Sequence, residues 1–179
     1  VALERMNSLH SRFKIANDDF RYVLSTFIFE PIRWMDKFGW RPMCEKEKLA
    51  FFHFWCEVGK RMNIKEIPTD YQSFEAFNIQ YEKDQYRFNE TNQRVGGATR
   101  ELFVSWFPSL FAPLVRRSIY ALLDDPLIKA FGFPRANRFM RWLIPGFLKL
   151  RAKLLRFLPP RSQPRLRTAM KHRSYPGGY

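Results

Sequence analysis

Residues 17–39 read NDDFRYVLSTFIFEPIRWMDKFG, and their reading decides the fold class. Asn17-Asp18-Asp19 is a cluster of the residue types that cap helix N-termini. The run it opens, Asp18 to Lys37, is strongly apolar, as a helix needs if it is to lie inside a protein rather than on it. Pro31 predicts a kink near Phe29-Glu30, because proline removes an amide donor and crowds the preceding turn. Gly39 predicts the end.

The same periodicity extends in both directions. Upstream, ERMNSLHSRFK (4–14) places Met6, Leu9, His10 and Phe13 on one helical stripe. Downstream, a helix is predicted from about Glu45 to Met62, with Glu45 and Glu47 in its first turn and Lys60 and Arg61 in its last, as the helix dipole favours. Thr69-Asp70-Tyr71-Gln72 reads as a capping box opening a helix to about Asn89. Further helices are predicted over 92–107, weakened by Gly96-Gly97, and over 113–123. Asp124-Asp125-Pro126 caps a short turn ending at Gly132. A last helix covers 135–158 with a break at Pro145-Gly146, followed by the loop PPRSQPR. No alternating strand of useful length and no 20–50-residue repeat occurs. The expected architecture is therefore all-α, one multi-helix domain over 1–179.

Composition narrows the function classes. The chain has 179 residues, 46% of them hydrophobic and 17% aromatic, which is enough to bury a core and too much for disorder. Two cysteines cannot make a disulfide framework. The net charge of +14 is unevenly placed: residues 1–90 hold 14 basic and 14 acidic side chains, residues 91–179 hold 17 and 3. From Arg135 onward there are 12 basic residues and no acid, so 135–179 forms a basic segment. Within it Phe139, Trp142, Leu143, Phe147, Leu150, Leu154 and Phe157 are interleaved with Arg and Lys, as in a cationic amphipathic helix suited to an anionic membrane surface. A basic outer face on a docked helix accounts for the same pattern. Nucleic acid is the weaker partner reading, since no helix-turn-helix or RNA-binding motif accompanies the charge. The chain opens on Val1 without a charged-then-apolar leader, and its best apolar stretch, Tyr22 to Phe29, is too short to span a bilayer. Localisation is expected to be membrane-associated or cytoplasmic.

Motifs exclude more than they assign. No phosphate-binding glycine loop, no Gly-x-Ser-x-Gly and no His-Glu-x-x-His is present, and Cys44 and Cys56 lack the clustered histidines of a zinc set. The three histidines separate by context. His172 lies in a basic tail, where a solvated polar residue is expected. His53, in AFFHFWCEVG, reads as a core histidine; pairing with Cys56 one turn on would leave a metal half-ligated. His10 lies between Met6 and Phe13 on an apolar stripe. A lone imidazole in an apolar, helix-walled pocket is what a haem iron asks for, although a core histidine is the commoner fate of such a residue.

Four phrases in order bear on that choice: RMNSLHSRFKIANDDFRYVL (5–24), FIFEPIRWMDKFGWRP (27–42), EKLAFFHFWCEVGKRMNIKEIP (47–68) and YQSFEAFNIQYE (71–82). With AFGFP (130–134), LPPR (158–161) and RSYPGGY (173–179) they resemble the MpaB-type oxygenase and rubber-oxygenase (latex-clearing protein) catalytic domain family. The resemblance implies an all-helical fold, haem b, and use of dioxygen to cleave or oxygenate an apolar, isoprenoid-like substrate. The family's axial histidine opens a motif of the form His-x-x-Val-x-Gly. The matching phrase here is His10-Ser11-Arg12-Phe13-Lys14-Ile15, which lacks the final glycine, so the proximal iron-ligand role falls on His10. The family's distal Arg and Lys or Thr would precede Val1, so the chain reads as a domain lacking its N-terminal helices, with no catalytic residue assignable within it. Asn7 or Glu4 is expected to orient His10. Phe20, Val23, Leu24 and Phe27 are expected to wall the pocket, and Arg12 and Lys14 to meet the haem propionates. The alternative function is a non-catalytic protein docking on membrane through 135–179.

Overall fold

The computed structural model describes residues 2–159. In chain order its helices are α1 (Ala2–His10), α2 (Asn17–Phe38), α3 (Glu45–Arg61), α4 (Tyr71–Gln85), α5 (Glu90–Val104), α6 (Ala112–Leu122), α7 (Asp125–Phe131) and α8 (Arg138–Leu155), with one 3-10 turn at Ser109–Phe111 before α6. Among the described residues there is no strand. No helix among them is long and apolar enough to cross a membrane. The all-α class read from periodicity is the class observed.

α2 is the axis of the first layer. Its Leu24, Ile28, Phe29 and Ile32 recur at helical spacing and are buried against Phe52 and Cys56 of α3, Ile64 beyond α3, and Phe74 of α4. The aromatic members pack edge to face: Phe29 meets Phe74 at 5.9 Å and 82°, and Phe52 meets Phe74 at 6.4 Å and 73°. Edge-to-face pairs set the positive ring edge against the negative face, adding to the area term. Within this core lies one buried polar pair. Asn78 Nδ2 donates to Ser25 Oγ at 2.9 Å, and Ser25 Oγ donates to the Tyr22 carbonyl at 2.6 Å. The second layer packs α6 on α8 and α5 on both α6 and α7, and α8 reaches α2 to join the two.

Several local expectations are corrected. α2 stays helical through Pro31, which sits on its exposed side, so the proline does not end the helix. α8 likewise continues through Pro145. Asn17 does not cap α2: its side chain takes the Lys65 N–H at 2.8 Å and donates to the Lys65 carbonyl at 3.0 Å, tying the loop after α3 to the start of α2. α4 ends at Gln85, four residues early, because Asn89 is used to cap α5, accepting from Thr91 N at 2.8 Å. Nor is Gly96 a mere weakness in α5. It is buried where a Cβ would come within 2.9 Å of the Phe131 ring, so its bareness lets α7 approach.

Candidate functional site

Where α1, the N-terminal half of α2 and the C-terminal end of α3 meet, they line a cavity of about 460 Å³, within the roughly 300–1,000 Å³ range of small-molecule sites. Met6 and His10 come from α1, Ile15 from the loop, and Asp19, Phe20, Val23, Leu24 and Phe27 from one face of α2. Trp55, Met62 and Ile64 close the far side. The lining is apolar apart from His10 and Asp19.

Three side chains tie the end of α3 and the segment after it to α1 and α2. Asn7 Nδ2 donates to the Arg61 carbonyl at 2.9 Å, Asn17 holds Lys65, and Arg21 Nη1 donates to the Glu66 carbonyl at 3.0 Å. Arg21 also lies 4.1 Å over the Phe77 ring and 3.1 Å from Asp18, which fixes it from two sides. α3 can come this close to α2 because position 59 is glycine. A Cβ there would collide with Leu24 Cδ2 and stand 2.8 Å from Ile67 Cδ1.

His10 is the last residue of α1, half-buried, with its ring 5.2 Å from Phe20 and tilted by 55°. Its apolar neighbours are those expected: Phe20, Val23, Leu24 and Phe27 all line the cavity. The flat part of the wall is Phe27 stacked on Trp55 at 4.8 Å and 15°. Trp55 carries a buried indole N–H without a protein partner among the described residues. At the rim the Tyr81 hydroxyl donates to Asp19. Burial first, and the Asp19 carboxylate second, push the Tyr81 phenol up, which keeps it protonated as that donor. Tyr81 in turn stacks on Tyr22 at 4.3 Å and 11°, and Tyr22 shares a 2.5 Å hydrogen bond with Tyr86.

Other expected roles are not met. Asn7 is engaged by Arg61 rather than by His10. Arg12 and Lys14 are exposed on the loop leaving His10 and do not line the cavity. Phe13 falls beyond the end of α1 and is 68% exposed. His53 is not a core residue: α3 buries Phe52, Cys56 and Gly59, and the next position is turned away to solvent. No group of three or more His, Cys, Asp or Glu able to hold a metal ion occurs among the described residues. His172 lies outside them.

Burial pushes the Cys56 thiol up to about 11, so it stays protonated at neutral pH, whereas Cys44 is exposed. Titration of the native chain with a thiol reagent should therefore show one fast thiol, and a second only on unfolding. Two fast thiols would mean that the α2–α3 core is open.

Sequence reasoning missed Asp19, Trp55, Met62 and Ile64. For Asp19 a signal existed: positions 19, 23 and 27 share a helix face, so an acid one turn before Val23 belongs on the same wall. The other three arrive by tertiary packing and carry no local mark.

This is the arrangement of a helical protein with a partly open, largely apolar cavity and a single imidazole at its wall. The chain belongs to the family described as ER-bound oxygenase mpaB/B'/rubber oxygenase, catalytic domain, whose pattern it matches over residues 3–159. It is 23% identical over 176 residues to ER-bound oxygenase mpaB' of Penicillium brevicompactum, an alignment covering 89% of this chain and 42% of that protein. ER-bound oxygenase mpaB of Penicillium roqueforti (strain FM164) is 23% identical over 146 residues, covering 73% and 49%. ER-bound oxygenase mpaB of Penicillium brevicompactum is 31% identical over 80 residues, 41% of this chain and 20% of that protein. The chain thus spans less than half the length of the curated relatives it matches. No solved structure matches it.

Proposed function

We propose that the protein is a haem b-dependent oxygenase that uses dioxygen to cleave or oxygenate an apolar, isoprenoid-like substrate, and that His10 is the proximal ligand. The observation that carries this reading is the placement of His10 on the wall of a cavity that is apolar apart from it and Asp19. The residues fit the group. A haem needs one axial nitrogen and a non-aqueous slot, and the lining offers one imidazole, with Phe20 against its ring and Phe27 and Trp55 as a flat apolar face. When bound, haem b supplies the iron at which dioxygen is activated.

The work of the chain's own residues is then positional. His10 holds the iron from the end of α1, and Phe20 limits the rotation of its ring. Val23, Leu24 and Phe27 offer an apolar wall that favours a hydrocarbon chain over a polar one. Asp19, kept in place by Tyr81, puts a carboxylate on a wall that is otherwise apolar apart from His10. The test is titration of the purified chain with hemin. A Soret band saturating near one equivalent is expected; no saturable change from the spectrum of free hemin would remove the cofactor and the reading with it.

A further inference from the structure

We propose that the outward face of α8 is a docking surface for an anionic lipid bilayer, with the helix lying along the membrane surface. This goes beyond the oxygenase reading and does not depend on it.

α8 has two apolar faces. One, with Met140 and Ala152 buried and Ile144, Leu148 and Leu155 half-buried, packs on α6 and α2. The other consists of Phe139, Leu143, Phe147, Leu150, Leu154 and, one turn further, Phe157, which are 61%, 36%, 61%, 55%, 61% and 84% exposed. Their spacing of three and four residues makes one continuous stripe turned away from the core. A run of six large apolar side chains on one exposed helix face is not the scattered exposure normal for a surface.

Charge identifies what the stripe faces. Arg138, Lys149, Lys153 and Arg156 fall together along one edge of it, all exposed, with Trp142 at 72% exposure among them. Arg135 and Arg141 pair with Asp125, at 3.0 and 3.2 Å. The four edge cations have no ion pair among the described residues, and α8 contains no acid to supply one. An apolar stripe of Phe and Leu bordered by Lys, Arg and Trp matches an anionic bilayer layer by layer: acyl chains under the stripe, headgroup phosphates at the cations, and the indole at the boundary. A second copy of the chain would bring two cationic edges together. Nucleic acid would leave the stripe in water.

The experiment is co-sedimentation of the full chain with phosphatidylcholine vesicles, with and without phosphatidylserine, at low and high salt. Binding to the phosphatidylserine vesicles alone, weakened by salt, is expected. K149Q/K153Q should weaken it about 25-fold, near fivefold per lost cation, and F147S/L154S should abolish it while leaving the far-UV spectrum and melting temperature unchanged. Four results would each overturn the proposal: no sedimentation, equal binding to both vesicle types, retention unchanged in both variants, or concentration-dependent self-association that F147S/L154S removes.

Discussion

Phe29→Ala should lower the free energy of unfolding by about 3–5 kcal/mol, the usual cost of emptying a buried aromatic site. Phe29 has no exposed surface, and its ring is gripped edge-on by Tyr71 at 5.1 Å and by Phe74 at 5.9 Å, both from α4. Removing it takes away the transfer term and leaves a void between α2 and α4 that neither helix can close without disturbing Ile28 and Ile32, both fully or nearly buried. Against a total stability of about 5–15 kcal/mol for an ordinary domain, the loss is a fifth or more. Urea unfolding followed at 222 nm checks it. Phe27→Ala, two positions away and 49% exposed, is the control and should cost far less. Equal shifts for the two would show that the core had been assigned to the wrong face of α2.

The second large effect concerns the proposed cofactor. His10→Ala should weaken hemin binding by more than about a hundredfold, since losing even a group that merely orients a metal ligand costs about 10–100-fold. The fold should survive, because His10 ends α1 and is only half-buried. His10→Gly with added imidazole provides the sharper arm, for the cavity wall of Met6, Phe20 and Val23 remains to receive the free ring. Return of the Soret band with imidazole would assign the ligand. An unchanged spectrum in His10→Ala would assign it elsewhere, with His53 on the exposed side of α3 a poor substitute.

Much of this was legible along the chain. Helix class and order follow from apolar spacing, and the wall of Phe20, Val23, Leu24 and Phe27 could be named because four residues on one helix face stay together wherever the helix goes. Asp70 and Asn137 show the same local logic at helix starts, accepting from Ser73 N and Met140 N at 2.8 Å each. What could not be read depends on partners distant in sequence. Asn17 looks like a cap and serves instead to hold Lys65, 48 positions on. Asn7 looks like a support for His10 and is taken by Arg61. A side-chain amide bonds equally well to any backbone group presented to it, so only the tertiary arrangement chooses. His53 shows the other limit. On a helix apolar nearly all round, composition does not say which side faces water.

The bare backbone at position 59 has a consequence for how such a chamber would diverge. Leu24 stands between two tenants, the α3 backbone behind it and the hollow in front. Thickening residue 59 by one methyl would drive that leucine forward, shrinking the hollow from outside while leaving every residue of its wall the same in name. The bore available to a hydrocarbon tail is in this way governed by helix spacing as much as by the side chains it would touch, and two homologues with identical linings need not accept the same length or branching of guest.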